Sequence, residues 1–291
     1  MIERGGAVPV DAAADAQRLS EIEGFLRRHP IRARRPFRWP LAVALEIVLL
    51  IAVWQYAIGT LHLIDATFFP APLDIASSLV GLVQGRQFVG DLTFSLGNYI
   101  IGVVAACVVG IVVGLAIGLS GLLDLTARPL VWAIYAIPKV ALAPVLILTL
   151  GLGTPSKLAM VFLLSVFPVL INTMDGVRTV DPSLVRAGRV FGFRRVPLAR
   201  RIILPATLPF VIVGLRRAIA LGFIGEVLGE FLGSAQGIGV TLQRATYNFQ
   251  MADALAVVVI MLIASNIGLL ALDVLQRIVA PWSLHISPGH H

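Results

Sequence analysis

Six long apolar stretches decide what kind of fold this sequence can adopt. Each is close to or above the length of about 20 residues that an α-helix needs to cross a hydrocarbon layer about 30 Å thick. The stretches are continuously apolar, whereas the strands of a membrane barrel alternate in polarity over about ten residues. The sequence therefore predicts an all-α membrane protein with about six transmembrane helices. The predicted spans are 41–62, 93–119, 129–150, 157–174, 208–229 and 252–279.

The charged residues are few, and most arginines fall into two blocks. Only 13% of the residues are charged, and the net charge is +7. One block precedes the first predicted span and the other follows the fourth, so an even number of crossings separates them. Both blocks can then lie in the cytoplasm, where positive loops are retained, and no nucleic-acid partner is needed to explain the charge. The blocks are Arg4, Arg18, Arg27, Arg28, Arg32, Arg34, Arg35 and Arg38, then Arg178, Arg186, Arg189, Arg194, Arg195, Arg200 and Arg201.

The predicted domain organisation has a basic segment (1–40), a membrane domain (41–281) and a tail (282–291), with both termini in the cytoplasm of a bacterial cell. The first apolar stretch is long enough to span and lacks a small-residue cleavage site, so we expect an anchor rather than a cleaved signal. Cys107 is the single cysteine, which excludes an internal disulfide. No metal site is predicted, because the only closely spaced histidines, His290 and His291, are as typical of a purification-tag remnant as of native sequence.

Small residues recur at every fourth position of the second and fifth predicted spans. Such a stripe lets another helix approach at backbone distance. Ordinary packing within the membrane is one explanation, and a subunit interface or moving gate is the other. The stripes consist of Gly102, Ala106, Gly110, Gly114 and Gly118, then Gly214, Ala218 and Gly222.

A polar loop of about thirty residues, about 178–205, joins the fourth and fifth predicted spans. Asp181 followed by Pro182 is a typical helix start, which predicts a short helix that ends at Gly192. A second short amphipathic segment, 193–203, follows before Leu204-Pro205 turns the chain toward the membrane. The loop is therefore predicted to be two short helices that meet at a glycine.

The residue spacing in this loop resembles that of the inner-membrane permeases of binding-protein-dependent ABC importers. Their pattern is Glu-Ala-Ala, three residues, Gly, nine residues, Ile, one residue, Leu-Pro. Arg186 stands in place of the Glu and Gly188 in place of the second Ala. The matching residues are Ala187, Gly192, Ile202, Leu204 and Pro205.

Further segments resemble the nitrate, sulfonate and taurine branch of these permeases, from about Phe69 to Pro281. Asn98 departs from that branch, in which Arg tends to follow Ser-Leu-x. The segments are Phe69-Pro70-Ala71-Pro72, Ser95-Leu96, Ala136 to Pro144, Phe167-Pro168, Gly229 to Gly233 and Gly237-Ile238-Gly239.

The resemblance implies a type I ABC importer permease fold and a set of partners. We expect a homodimer with the substrate path at its interface, bound to two cytoplasmic ATPase subunits and fed by a periplasmic or lipid-anchored binding protein. The ATPases would use ATP and Mg²⁺, and this chain would bind no cofactor. The loop would transmit the closure of the ATPases to the membrane spans, or else it would act only as a positive topology anchor. The expected coupling residues are Val185, Arg186, Ala187, Gly188, Phe191, Gly192, Val196, Leu204 and Pro205.

Lys139 is the notable ionisable residue of the third predicted span. Eleven residues at 1.5 Å each place it about 16 Å deep if the span begins near Arg128. Pro138 and Pro144 bracket it, which predicts a kink around a cavity. A cation there favours an anionic substrate such as nitrate, a sulfonate or a carboxylate, whereas pairing with a carboxylate of this chain is the structural alternative.

Glu226 and Glu230 are four residues apart on one face of the fifth predicted span, near its outer end. They are candidates for the substrate pathway. Pairing with Lys139 or with Arg244 and contact with a binding protein are possible roles, and exposure at the membrane surface is the alternative.

Two other functions, secondary transport and intramembrane hydrolysis, share some features with this sequence. A secondary transporter is also apolar and also carries intramembrane charges, but no inverted repeat is detectable. The chain lacks the Gly-x-x-x-x-Gly-Lys-Ser/Thr phosphate loop, so energy from ATP would have to come from a partner. An intramembrane hydrolase is suggested by Gly118-Leu119-Ser120-Gly121, yet no histidine lies in a later span. No catalytic residue is predicted.

Overall fold

The computed structural model describes residues 39–280, and every regular element in that range is helical, which confirms the all-α prediction. The eight arginines of the first block and the tail at 282–291 lie outside the described residues. The helices are α1 (Trp39–Gly59), α2 (Pro72–Gln84), α3 (Arg86–Leu119), α4 (Gly121–Ala136), a 3₁₀ turn (Lys139–Leu142), α5 (Ala143–Leu150), α6 (Thr154–Arg178), α7 (Pro182–Val190), α8 (Arg195–Leu198), a π segment (Ala199–Ile203), α9 (Leu204–Gly233), α10 (Ile238–Tyr247) and α11 (Met251–Val279).

Five helical stretches of the described chain are long and apolar enough to cross a membrane. They are α1, α3, α6, the continuous helix Arg195–Gly233 and α11. Within the described chain, residues 54–280 form one compact unit, and residues 39–53, which make up most of α1, form a separate unit. All six predicted apolar stretches are therefore found in helices, five of them as single spans.

The third predicted span, 129–150, is the exception, because it is broken rather than kinked. α4 and the segment 139–150 are bent by 78° relative to each other, so that they form one interrupted span or a re-entrant loop. The break falls at Ile137, whose backbone is extended (φ −64°, ψ 132°). Proline disfavours the helical conformation in the residue before it, so Pro138 explains why α4 stops there.

α6 is the centre of the bundle and lies between α3 and α9. The small-residue stripe of α3 faces it: a Cβ added at Gly110 would lie 2.8 Å from Cβ of Val169, and one at Gly102 would lie 2.7 Å from Val161. On the other side, a Cβ at Gly214 of the second stripe would lie 3.0 Å from Cα of Val169, and one at Gly225 would lie 2.9 Å from Cα of Val161. Packing within the chain therefore accounts for the stripes, which is the first of the two explanations given above.

The two ends of the bundle are distinguished by the loop between α6 and α9. Leu119 at the end of α3 lines a groove with Val185 and Ile203, so the end of α3 and the start of α9 lie beside the loop. We call this end the loop end. The start of α3, the end of α9 and α10 lie at the opposite end, the far end. There Phe88, Ile238 and Val257 form a small buried core.

Replacing Gly110 by leucine is expected to destabilise the bundle, because the side chain would have to displace Val169 or the backbone carbonyl of Val166, 3.0 Å from the new Cβ. Overpacking of this kind costs about 1–3 kcal/mol. Thermal unfolding of the purified permease in detergent measures the effect. Gly97→Leu is the matched control on the same helix, since a Cβ there has no neighbour within 4 Å. Equal unfolding temperatures for the two variants would contradict the close α3–α6 contact.

Candidate functional site

The loop between α6 and α9 is an ordered pair of short helices. The Asp181 carboxylate accepts a hydrogen bond from the backbone N–H of Ser183 at 2.7 Å, and Pro182 occupies the first turn of α7. The same bond lowers the pKa of Asp181 from its ordinary value, with a smaller contribution from Arg186. Gly192 adopts φ +80°, a left-handed conformation that glycine accepts without strain. The predicted start of the helix and the predicted glycine turn are both confirmed.

The expected turn at Leu204-Pro205 is wrong. The chain continues as one helix from Arg195 to Gly233, and Leu204 and Pro205 are half-buried within it. Proline has no N–H, and its ring crowds the preceding helical turn. The wider π segment lies directly before Leu204, whose N–H reaches the carbonyl of Ala199. The extra backbone width therefore accommodates Pro205 without breaking the helix.

Gly188 is the buried member of the predicted coupling residues. A Cβ at this position would lie 2.5 Å from Cδ1 of Ile202 and 2.8 Å from Cδ1 of Leu198, itself buried. The backbone N–H of Phe193 also donates to the Gly188 carbonyl at 2.9 Å. Gly188 therefore holds α7 against the base of α9, and a larger residue would push the two apart.

Three large apolar side chains next to the Gly192 turn point away from the protein. Val190 is 85% exposed, Phe191 80% and Val196 75%. We call these three residues the apolar knob. Phe191 and Val196 are among the predicted coupling residues, whereas Val190 is not. Of the remaining predicted residues, Arg186 and Ala187 are exposed and Val185 is half-buried. Exposed apolar groups on an otherwise arginine-rich loop are typical of a surface that another protein covers.

Glu230, a predicted pathway residue, caps the start of α10 at the far end. Its carboxylate accepts hydrogen bonds from the Ser95 hydroxyl (2.6 Å) and from the backbone N–H of Gly239 (2.7 Å). The Ser95 oxygen in turn accepts from the Ile238 N–H at 3.0 Å. The first N–H groups of a helix have no partner within it and attract negative charge, so these side chains stabilise α10 from two other helices.

Glu226 is also buried, at 1% exposure, and neither of its carboxylate oxygens has a hydrogen-bond partner in the described part of the chain. Asn98, the residue that departs from the permease branch, lies beside it and interacts with its carboxylate. The alternative that Glu226 and Glu230 are exposed at the membrane surface is therefore wrong. Pairing of either glutamate with Lys139 or Arg244 is not found among the described residues.

Lys157 is the residue of this cluster that the sequence analysis missed. It is 1% exposed and donates to the Ser234 hydroxyl at 3.0 Å, with its ammonium 4.1 Å from the centre of the Phe94 ring. It also interacts electrostatically with Glu230 and Glu226. Lys157 is the first residue of the fourth predicted span, at the end where Glu226 and Glu230 also lie. This position was the signal in the sequence that could have identified it.

Lys139 lies at the break between α4 and α5. Its ammonium donates to the carbonyl of Tyr135 at 2.7 Å and lies 4.6 Å from the ring centres of Tyr135 and Phe167. The carbonyls at the end of a helix lack internal partners and attract cations, so Lys139 stabilises the end of α4. The alternative in which it pairs with a carboxylate is not found in residues 39–280. Pro144 lies in the first turn of α5, where its missing N–H costs nothing.

The fold defines a membrane-spanning transport subunit. Residues 106–284 match the family described as binding-protein-dependent transport system inner membrane component. The chain belongs to this family: it is the permease subunit of an ABC-type importer and a multi-pass protein of the inner membrane. The expected type I permease fold is thereby confirmed.

Curated relatives cover most of the chain. It is 29% identical to an aliphatic sulfonates transport permease of Bacillus subtilis (88% of this chain, 92% of that one). It is 30% identical to the taurine transport permease of Escherichia coli (86% and 94%) and 29% identical to a formylaminopyrimidine transport permease of Halalkalibacterium halodurans (83% and 96%). A bacterial alginate ABC transporter in complex with an alginate-bound periplasmic protein has a chain with the same fold (TM-score 0.55, 16% identity, 92% and 98%).

Removing the Asp181 cap is expected to fray α7. Asp181→Ala should raise hydrogen exchange of the backbone amides of residues 183–190, whereas Asp181→Asn, which keeps an acceptor oxygen, should not. Folding lowers the pKa of Asp181 from its ordinary value of 3.8, so its carboxylate stabilises the helix at pH values above 3.8. We therefore expect protection in the wild type to be constant at neutral pH and to fall only below about pH 4. Equal exchange in the alanine and asparagine variants would contradict the role of the cap.

Ser95→Ala is expected to loosen α10, because it leaves the Ile238 N–H and one Glu230 oxygen buried without a partner. Each such group costs about 1–3 kcal/mol. Hydrogen exchange over 238–247, together with the unfolding temperature, measures the loss. Thr246→Ala is the control, since its hydroxyl bonds only to the carbonyl of Leu242 in its own helix. The idea fails if both variants protect these amides equally.

Proposed function

We propose that this permease imports a small anionic solute, such as a sulfonate, taurine, nitrate or a related organic anion, and that the loop between α6 and α9 transmits the motion of a partner ATPase. The apolar knob is the observation that carries the coupling role. Burying a side chain of this kind contributes about 1.5–3 kcal/mol, so covering all three with a partner groove would yield appreciable affinity. A loop that served only as a positive topology anchor would have no need of exposed Val190, Phe191 and Val196.

The loop is well connected to the membrane part of the protein. Its second half, which carries Val196, continues directly into α9, so a push on this part of the knob reaches the bundle through one helix. On its other side, Arg128 of α4 bonds to Asp124 at 2.7 Å and to Asp175, near the end of α6, at 3.0 Å. The second of these ion pairs links the start of the broken span to the helix that leads into the loop. Motion of the loop therefore has a route to the break at Pro138.

The proposed assembly has two permease copies, two cytoplasmic ATPase subunits that use ATP and Mg²⁺, and a periplasmic or lipid-anchored binding protein. The arginine-rich loop supports a cytoplasmic location for the loop end and, with it, for both termini. Lys139 is half-buried at the break and is our candidate for contact with an anion in the path between the two copies. The named substrates of the sulfonate and taurine permeases support this class.

Trimming the knob is expected to weaken the contact between the permease and its ATPase. In the complex of the permease with its ATPase in lipid, Phe191→Ala with Val196→Ala should reduce co-purification of the ATPase or uptake at least about tenfold, because the buried apolar contact is lost. The permease itself should unfold at an unchanged temperature, since both side chains are exposed.

Ser183→Ala, which changes an exposed side chain of the same loop, is the control and should behave as the wild type. Unchanged complex formation and unchanged coupled uptake in the double variant would reduce the loop to a topology anchor. Uptake by the wild-type permease without any ATPase would instead identify a secondary transporter.

A further inference from the structure

The far end carries an open cleft between the start of α3 and the segment that leads into α10. Its polar lining is formed by Arg86, Gln87, Asp91, Gln236 and Arg244. Both arginines are exposed, and neither forms an ion pair with a carboxylate of the described chain. Arg244 makes a single long contact, 3.4 Å to the carbonyl of Ala235. Two guanidinium groups with free donors therefore meet at one cleft.

This concentration of charge is unusual for the face on which it lies. Within residues 54–280, the far end has one other basic residue, Lys157, and that side chain is buried. Arginine is rare on the outer face of inner-membrane proteins, because positive loops are retained inside. The two exposed arginines that do occur at this end line the same cleft. Their placement calls for a negatively charged partner.

Exposed aromatic side chains lie next to Arg244. Tyr247 follows it by three residues on α10, so the two share a helix face, and Tyr247 is 70% exposed. Phe249 is 59% exposed and packs edge-to-face on Phe68 with ring centres 6.2 Å apart. Phe249 holds φ +58°, an uncommon conformation for a bulky residue. Arginine, tyrosine and phenylalanine together are typical of surfaces that bind another protein.

The cleft does not lead into the protein. The Asp91 carboxylate lines it, accepting the Gly237 N–H at 3.0 Å, and adds a negative charge that a free anion would meet. Phe88 and Ile238 next to it are fully packed, with 5% and 0% exposure. A small anion would therefore find a closed end, whereas an acidic side chain projecting from a protein needs only the two arginines.

We propose that this cleft is where the solute-binding protein docks, with one or more of its acidic side chains between Arg86 and Arg244 and an apolar contact over Tyr247. The proposal rests on the proposed function, in which a binding protein delivers the solute. Guanidinium–carboxylate pairs are strong and directional. Such pairs at the edge of an interface accelerate association and make it sensitive to salt. The cleft thus supplies orientation to the docked protein.

The test uses the intact transporter in lipid nanodiscs and its binding protein in the solute-loaded form. Arg86→Glu with Arg244→Glu should weaken binding at least about tenfold and flatten its dependence on salt. Binding-protein-stimulated ATP hydrolysis should fall with it, while basal hydrolysis and the unfolding temperature stay unchanged because both side chains are exposed. Asn248→Glu is the control: it adds negative charge to the same end, outside the cleft.

Each other outcome overturns the docking site. Wild-type affinity in the double variant removes it. If the variant binds the protein normally but no longer binds methanesulfonate in the absence of that protein, the cleft takes a free anion. If it instead loses binding to vesicles that contain anionic lipid, the surface contacts the membrane. Coupled uptake by the wild type would persist in all three cases, so the proposed function would stand. A wild-type transporter that never responds to a binding protein would remove both.

Discussion

The arrangement of this permease depends on the enclosure of α6 between α3 and α9 at backbone distance. Lipid tails are as apolar as leucine, so helices in a membrane gain little from apolar burial and must associate through close packing. Glycines on both neighbours make that packing possible, at Gly110 and Gly225 among others. The Ser165 hydroxyl adds a bond to the Ala218 carbonyl at 3.1 Å. These three helices therefore form a single closely packed unit, with the broken span beside it.

The far-end cluster explains why several short segments of the sequence occur together. Ser95 and Asp91 on α3, Glu230 on α9 and the backbone of Gly237 and Gly239 form one capping arrangement. A Cβ at Gly239 would lie 2.8 Å from Cβ of Glu230, so glycine is needed for the carboxylate to reach the helix start. Three of the segments that resemble the sulfonate and taurine branch are here parts of this one capping arrangement: Ser95-Leu96, Gly229 to Gly233 and Gly237-Ile238-Gly239. Glu230 is accordingly a positioning residue for α10.

Local features could be predicted from the sequence, and features made by distant contacts could not. Span positions, the Asp181 cap and the Gly192 turn depend on neighbouring residues, and the structure confirms all three. Glu230 and Ser95 are 135 positions apart, so no local sequence pattern could predict their hydrogen bond. The sequence predicts a turn at Pro205, because the π segment that accommodates this proline within a helix has no sequence signature. The role of the apolar knob in coupling, like that of Lys139 in the path, stays a prediction.

The unbroken helix from Arg195 to Gly233 has a mechanical consequence. At 1.5 Å per residue its 39 residues form a rod about 58 Å long, which exceeds the thickness of the hydrocarbon layer. One end of the rod carries Val196 of the knob, and the other adjoins Ser234 and the cleft. Tilting such a rod by about 10° moves one end by about 10 Å relative to the other. A displacement at the loop end is thereby transmitted to the far end through a single piece of backbone.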